Sequence, residues 1–295
     1  MRPAWSQGML AALVALGLTM PAIAAPPDHL WSGISAGYSI DWTTADLVAR
    51  RAGKPVFSAR EWAKAGLTHF VKVNRAGGAP PGDCDYRRTI RLLAVVGSRL
   101  SLADQAEFTC RREAHPGGIT RLLTVDLAET GPLAEAGRDA IGAVDPAHPG
   151  RAVLLTALFP EPEILSALAR TPALHAALAD QKAMPATLPD LVGAVANASG
   201  TGDACYTVPP DLLASFAFGR LAGGHVLVEL GLPGDGPCRS NLTVSELSFT
   251  IPPALAAPLQ QADRREAGFL ASAGRDWAES PATTIVLHTG RGAGR

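Results

Sequence analysis

Stretches of alternating apolar and polar positions along this 295-residue chain predict strands at His69–Val73, Ile119–Leu127, His225–Leu230 and Ser240–Phe249 with Ile251, where Pro252 and Pro253 end the run. Cys84–Val96 reads as one or two strands broken by Gly97, and Thr284–Leu287 as a final one. Helical spacing predicts a different set. Thr44–Arg51 reads as a short helix ended by Gly53, and Phe57–Ala63 as the start of another. Ser101–Arg112 opens as a helix turn and finishes extended. Phe159–Ala179 is strongly helical, with Pro162 early in the helix, Glu161 and Glu163 near the positive end of its dipole, and a break at Pro172. Leu188–Ala196 and Ala254–Ala271 are further helices. Arg151–Leu158 is a regular piece of unassigned type, Asp211–Ala214 a short turn or helix, and Ser215–Phe218 a short apolar piece.

Strands, then a central helical hairpin, then strands again argue for an α+β fold with an antiparallel or mixed sheet. The organisation expected is a leader at 1–24, an N-terminal segment at 25–70 packed on the main domain, an α+β domain at 71–289, and a disordered tail at 290–295. The leader has Arg2 ahead of an apolar run from Met9 to Met20 and a small-residue site at Ala22-Ile23-Ala24, the arrangement of a secretory signal peptide cleaved after Ala24. The run is shorter than the roughly 20 residues of a membrane span. The expected location is periplasmic or secreted, with no membrane span after cleavage.

Composition narrows the partners. The formal net charge is −1, and the basic residues are mostly arginine. No basic surface for nucleic acid is implied. With 30 glycines and 24 prolines, turns and loops are abundant. The four cysteines, Cys84, Cys110, Cys205 and Cys238, are even in number in an exported chain and point to two disulfides. Three connectivities are open. Cys84–Cys110 and Cys205–Cys238 are favoured because each closes a modest loop, of 26 and 33 positions, worth roughly 3–4 kcal/mol in the chain-entropy account. No C-x-x-C occurs, which weighs against metal or redox chemistry.

Gly33-Ile34-Ser35-Ala36-Gly37 matches G-x-S-x-G, but no strand has been built to present a nucleophile that early, and chance is the better reading. The seven histidines form neither H-x-H nor H-E-x-x-H, so no metal site and no cofactor are expected. His69 and His225 read as strand residues and His175 as a helix-surface one. The acidic pairs Asp83/Asp85, Glu161/Glu163 and Asp104/Glu107 each read as a solvated face or a cap, and spacing selects none for glycoside hydrolysis. The densest polar cluster is Arg111, Arg112, Glu113 and His115 before a turn at Pro116-Gly117-Gly118. Arginine forks there have the geometry to clamp a carboxylate or phosphate. The simpler account is a strand held by Cys110, a turn, and a new strand from Ile119.

The run E-A-H-P-G-G-I-T-R-L-L-T-V-D-L, followed after an insertion by L-L-T-A-L-F-P, resembles the extracellular portion of RsiV-type lysozyme-sensing anti-sigma factors and the N-terminal module of some peptidoglycan deacetylases. The matching positions are Ala114, His115, Asp126, Leu127, Gly131, Leu155, Leu158 and Phe159. The chain differs in carrying Arg112-Glu113 where that family prefers two glycines, and Ala157 where an aspartate is usual. The resemblance implies an α+β module that binds an envelope protein or a cell-wall glycan. The leading expectation is therefore an exported binding or accessory module without enzymatic activity. The alternative is an envelope hydrolase using dispersed acidic residues.

Overall fold

The structure is a computed structural model, and it describes residues 27–76, 84–110, 117–129, 152–178, 185–198, 211–234, 242–270 and 280–289. The expected leader, the expected tail, the expected Cys205–Cys238 bridge and the cluster Arg111, Arg112, Glu113 and His115 lie outside the described residues. In chain order the strands are β1 (His29–Ser35), β2 (Tyr38–Thr43), β3 (Leu47–Arg51), β4 (Lys54–Ser58), β5 (Cys84–Val96), β6 (Arg99–Cys110), β7 (Gly117–Asp126), β8 (Phe216–Ala222), β9 (His225–Pro233), β10 (Leu242–Thr250), β11 (Gly268–Phe269) and β12 (Thr283–His288). The helices are α1 (Ala59–Ala76), α2 (Glu161–Ala169), α3 (Pro172–Ala177), α4 (Leu188–Ala198) and α5 (Pro253–Asp263). All the sheets pair antiparallel, and the fold is α+β.

The first four strands form a meander in the order β1-β2-β3-β4. Two of its hairpins turn on Ala36-Gly37 (φ 48° and 79°) and Ala52-Gly53 (φ 49° and 78°), the left-handed pair that a two-residue type I′ turn requires. This overturns the helix expected at Thr44–Arg51. Leu47 and Ala49 are buried in alternation with less buried neighbours, and Gly53 turns a hairpin where it was expected to end a helix. The same turn chemistry removes the nucleophile reading of Gly33–Gly37. Ser35 ends β1, is 2% exposed, and donates its hydroxyl to the Ala267 carbonyl at 3.4 Å.

Helix α1 starts on a capping sequence, Ser58-Ala59-Arg60-Glu61, in which Ser58 Oγ accepts from the Glu61 amide at 3.2 Å. The stretch His69–Val73, expected as a strand, forms its later turns. Trp62, Gly66 and Phe70 recur every four residues and lie against the next sheet, so the 3.6-residue period outweighs the short alternation. Gly66 is required there: an added Cβ would sit 2.6 Å from the Tyr86 hydroxyl and 3.0 Å from Arg88 Nη1.

The central sheet has β5, β6 and β7 as a meander, with β11 and β12 both on the outer edge of β5, against Val95–Val96 and Asp85–Ile90 respectively. β6 is extended from its first residue, which corrects the helix turn expected at Ser101. Cys84 and Cys110 stand directly opposite each other and are joined by a disulfide. One face of this sheet carries Tyr86, Ile90, Leu92, Leu100, Leu102, Leu123 and Val125 against α1 and the N-terminal meander. On its opposite face the sheet divides. The half at Leu93, Ala94, Val96, Ser101, Ala103, Leu122 and Thr124 is covered, whereas Asp85, Arg87 and Thr109 in the other half are exposed.

The cover is the C-terminal sheet, in the order β10-β9-β8. It meets the central sheet through the edge of β8. Thr124 Oγ1 donates to the Phe216 carbonyl at 2.8 Å, and the Phe218 amide donates to Ser101 Oγ at 3.0 Å. Two hydroxyls, themselves 2.9 Å apart, thus satisfy the backbone of a buried sheet edge. The C-terminal sheet therefore stands on the central one. One of its faces, with Phe216, Phe218, Val226, Val228, Leu230, Leu247 and Phe249, packs on α2, α4 and α5. A 3₁₀ turn at Leu155–Ala157 leads into α2, and the α2–α3 hairpin breaks at Pro172 as the sequence predicts.

Candidate ligand-binding corner

The face of the C-terminal sheet turned away from the helices and the polar half of the central sheet meet at an apolar seam. Ala217 packs with Leu93, Ala103 and Leu122, and Leu242 lies against them. Gly231 allows this approach, since a Cβ there would stand 3.0 Å from Leu122 Cγ. Beyond the seam each surface turns polar, which gives a corner with a floor and a wall.

The floor is ordered by strand register. Thr284, Thr89 and Gln105 form one row across β12, β5 and β6, continued on β7 by Thr120, which is buried at 1% exposure. Val286, Arg87, Glu107 and Gly118 form the next, and His288, Asp85 and Thr109 the last. His288 Nδ1 lies 2.7 Å from Asp85 Oδ1, both well exposed, and Gln105 Nε2 donates to Glu107 Oε1 at 2.8 Å. The wall carries Val244, Glu246 and Ser248 on β10, with Leu227 and Glu229 on β9. Glu229 and Glu246 stand directly opposite each other. Arg220 Nη2, from the irregular stretch of β8, lies 3.5 Å from Glu246 Oε1. Burial, and then the Glu246 charge, push the Glu229 carboxyl above its ordinary value.

The sequence reading singled out none of these residues except Asp85 and Glu107. The cluster it preferred, Arg111, Arg112, Glu113 and His115, belongs to the connection between β6 and β7. The described flanks of that connection are Cys110, bridged to Cys84, and Gly117, over which the Phe108 ring packs so closely that a Cβ would stand 2.1 Å from it. Thr289 ties the same end of the sheet together: its Oγ1 accepts from the Cys84 amide at 2.8 Å and its amide donates to the Cys84 carbonyl at 2.9 Å. The signal for Glu229 was present in V-L-V-E-L-G-L, a lone acid in a strand otherwise apolar on both faces.

Of the acidic pairs considered from sequence, Asp104 has a structural role and does not share a helix face with Glu107. It is 1% exposed and receives Arg88 Nε and Nη2, each at 2.7 Å, and Arg121 Nε at 3.1 Å. Burial by itself would raise this carboxyl, but the two guanidinium groups hold it below its ordinary value. Arg88 also stacks on the Trp62 ring at 3.8 Å. Glu161 and Glu163 begin α2, and Glu163 Oε1 accepts from the Thr250 amide at 2.6 Å.

Among the described residues no group of three or more His, Cys, Asp or Glu side chains is placed to hold a metal ion. None of the described helices is long and apolar enough to cross a membrane. Comparison with protein-family models, with curated proteins and with solved structures found no match.

Proposed function

We propose that the chain is an exported binding or accessory module of the cell envelope, and that the corner between the two sheets receives a protein or cell-wall glycan ligand. The observation that carries this reading is the row structure of the floor. It is a polar surface of both charge signs on rigid, disulfide-bridged strands, next to a wall bearing two acids. Side chains held by sheet register are preorganised, which lowers the ordering cost of binding. The acids of the corner do not gather in a deep groove, as a glycosidase pair would.

The test is incubation of the exported protein with purified peptidoglycan sacculi and, separately, with envelope protein extract coupled to beads. Binding to either that falls at least about tenfold in Arg87→Glu, with no soluble fragments released from sacculi, is the expected result. Release of fragments that stops in Glu229→Gln would replace this reading with the hydrolase. N-terminal sequencing of the exported protein should begin at Ala25.

A further inference from the structure

The C-terminal sheet has two edges, and the fold treats them differently. The β8 edge is closed by Ser101 and Thr124. The β10 edge is the opposite rim. Its nine residues pair with β9 in unbroken register, with no bulge. The amide of Thr250 donates to Glu163 at 2.6 Å and so points away from β9. Backbone direction repeats every second residue in an antiparallel pair. The amides and carbonyls of Ser248, Glu246 and Val244 therefore point outward too, and no described residue bonds to them. The segment Leu242–Ser248 has neither lysine nor proline, the devices that usually blunt an exposed edge. Val244 is 37% exposed.

We propose that the β10 edge takes an extended segment of a partner protein as a fourth strand, with a lysine or arginine of that segment in the row of Glu229 and Glu246. The inference rests on the binding-module reading and specifies its protein arm. An added strand would satisfy up to three outward-facing residues of β10 through its backbone. In the row already holding two opposed carboxylates, a third side chain of positive charge is favoured and a negative one is repelled. This also disfavours a second copy of the chain pairing Glu246 against Glu246 in two-fold register. Arg220 approaches Glu246 from the β8 side only at 3.5 Å, and no ion-pair partner is seen for Glu229 among the described residues.

The experiment uses the whole exported chain and three acetylated, amidated nine-residue peptides of alternating threonine and valine. They differ only in a central lysine, glutamine or glutamate, and binding is read by fluorescence anisotropy. The lysine peptide should bind about tenfold more tightly than the glutamate peptide. Glu246→Lys should reverse that order, and N-methylation of alternate peptide amides on the bonding side should abolish binding. Ser248→Pro removes an outward donor without touching the β9 ladder, so it should keep the melting temperature and lose the peptide. Equal affinity for the three peptides, or an order unchanged in Glu246→Lys, overturns the edge. If envelope binding falls in Arg87→Glu while Ser248→Pro leaves it intact, the module reading stands and the edge proposal fails.

Discussion

Arg88, Asp104 and Arg121 form a buried ion network between α1 and the central sheet, in which both guanidinium groups bond to the one carboxylate. Removing one partner from a buried ion network leaves an uncompensated charge, at a cost of about 3–5 kcal/mol. Asp104→Asn should lower the unfolding free energy by that order in a urea titration. The pH dependence has a definite sign. The folded carboxyl is held below its unfolded value, so its contribution is complete above the ordinary aspartate range. It is lost only as pH falls through the lower folded value. In wild type, stability should decline at the acid end, and Asp104→Asn should flatten that decline. Glu229 works in the opposite direction: its raised carboxyl costs stability at neutral pH, and the cost shrinks as pH falls below the folded value and is gone below the ordinary glutamate range. Glu229→Gln should therefore stabilise the neutral protein, by on the order of 0.5 kcal/mol at this partly exposed site, and the gain should vanish in acid. At Gly66 alanine would improve helix propensity by about 1 kcal/mol. Its Cβ would collide with Tyr86 and Arg88, and overpacking costs about 1–3 kcal/mol. Gly66→Ala should come out destabilised or at best neutral by differential scanning calorimetry.

For the elements, sequence pattern was most legible where one face is buried and one is wet. The strands expected from Ile119, His225 and Ser240 correspond to β7, β9 and β10, which begin at Gly117, His225 and Leu242, and the helical hairpin and its break at Pro172 are where proline and alanine-rich spacing put them. It failed where local and tertiary signals conflict. Leu47-Val48-Ala49 is too short to separate a period of two from one of 3.6, and the Ala52-Gly53 turn decides it. His69–Val73 alternates by chance on a helix whose anchoring residues are Trp62, Gly66 and Phe70. β5 states its own environment: alternation from Cys84 to Arg91, then an unbroken apolar run from Leu92 to Val96. That change marks where the C-terminal sheet begins to cover it. The favoured Cys84–Cys110 bridge is present, and it joins paired residues at the upper end of this strand. Replacing both cysteines by serine should remove about 3 kcal/mol of stability in urea. It should also raise amide exchange at Asp85–Arg87 ahead of Leu92–Val96.

For the whole molecule, the chain builds the N-terminal meander and α1, then the central sheet, then the C-terminal sheet and helices, and finally returns through β11 and β12 to the outer edge of β5. The sequence conveyed the class of this architecture but not the corner, because the corner arises from residues distant in sequence. Arg87 and Glu107 meet through β5–β6 register, Glu229 and Glu246 through β9–β10, and the two pairs are related by the packing of one sheet on the other, at the seam of Leu93, Ala103, Leu122 and Ala217 and the hydroxyls of Ser101 and Thr124. No local pattern encodes that relation. The cluster Arg111–His115 drew notice because it is dense in one dimension, whereas the floor and wall are dense only in three.

The hydroxyls of Ser101 and Thr124 beneath β8 have a consequence for how the protein can be divided. A fragment spanning Asp211–Leu270 would carry its own hairpins and α5, yet it would leave behind the two side chains that satisfy one of its rims. Both margins of its three-stranded sheet would then be raw backbone, and such pieces self-associate. Expressed alone, this segment should sediment as heterogeneous multimers. Co-expression of the segment extended to Thr289, so that β12 is kept for the edge of β5, with residues 25–200 should recover a soluble complementation pair, and Ser101→Ala with Thr124→Val in the 25–200 piece should abolish the rescue.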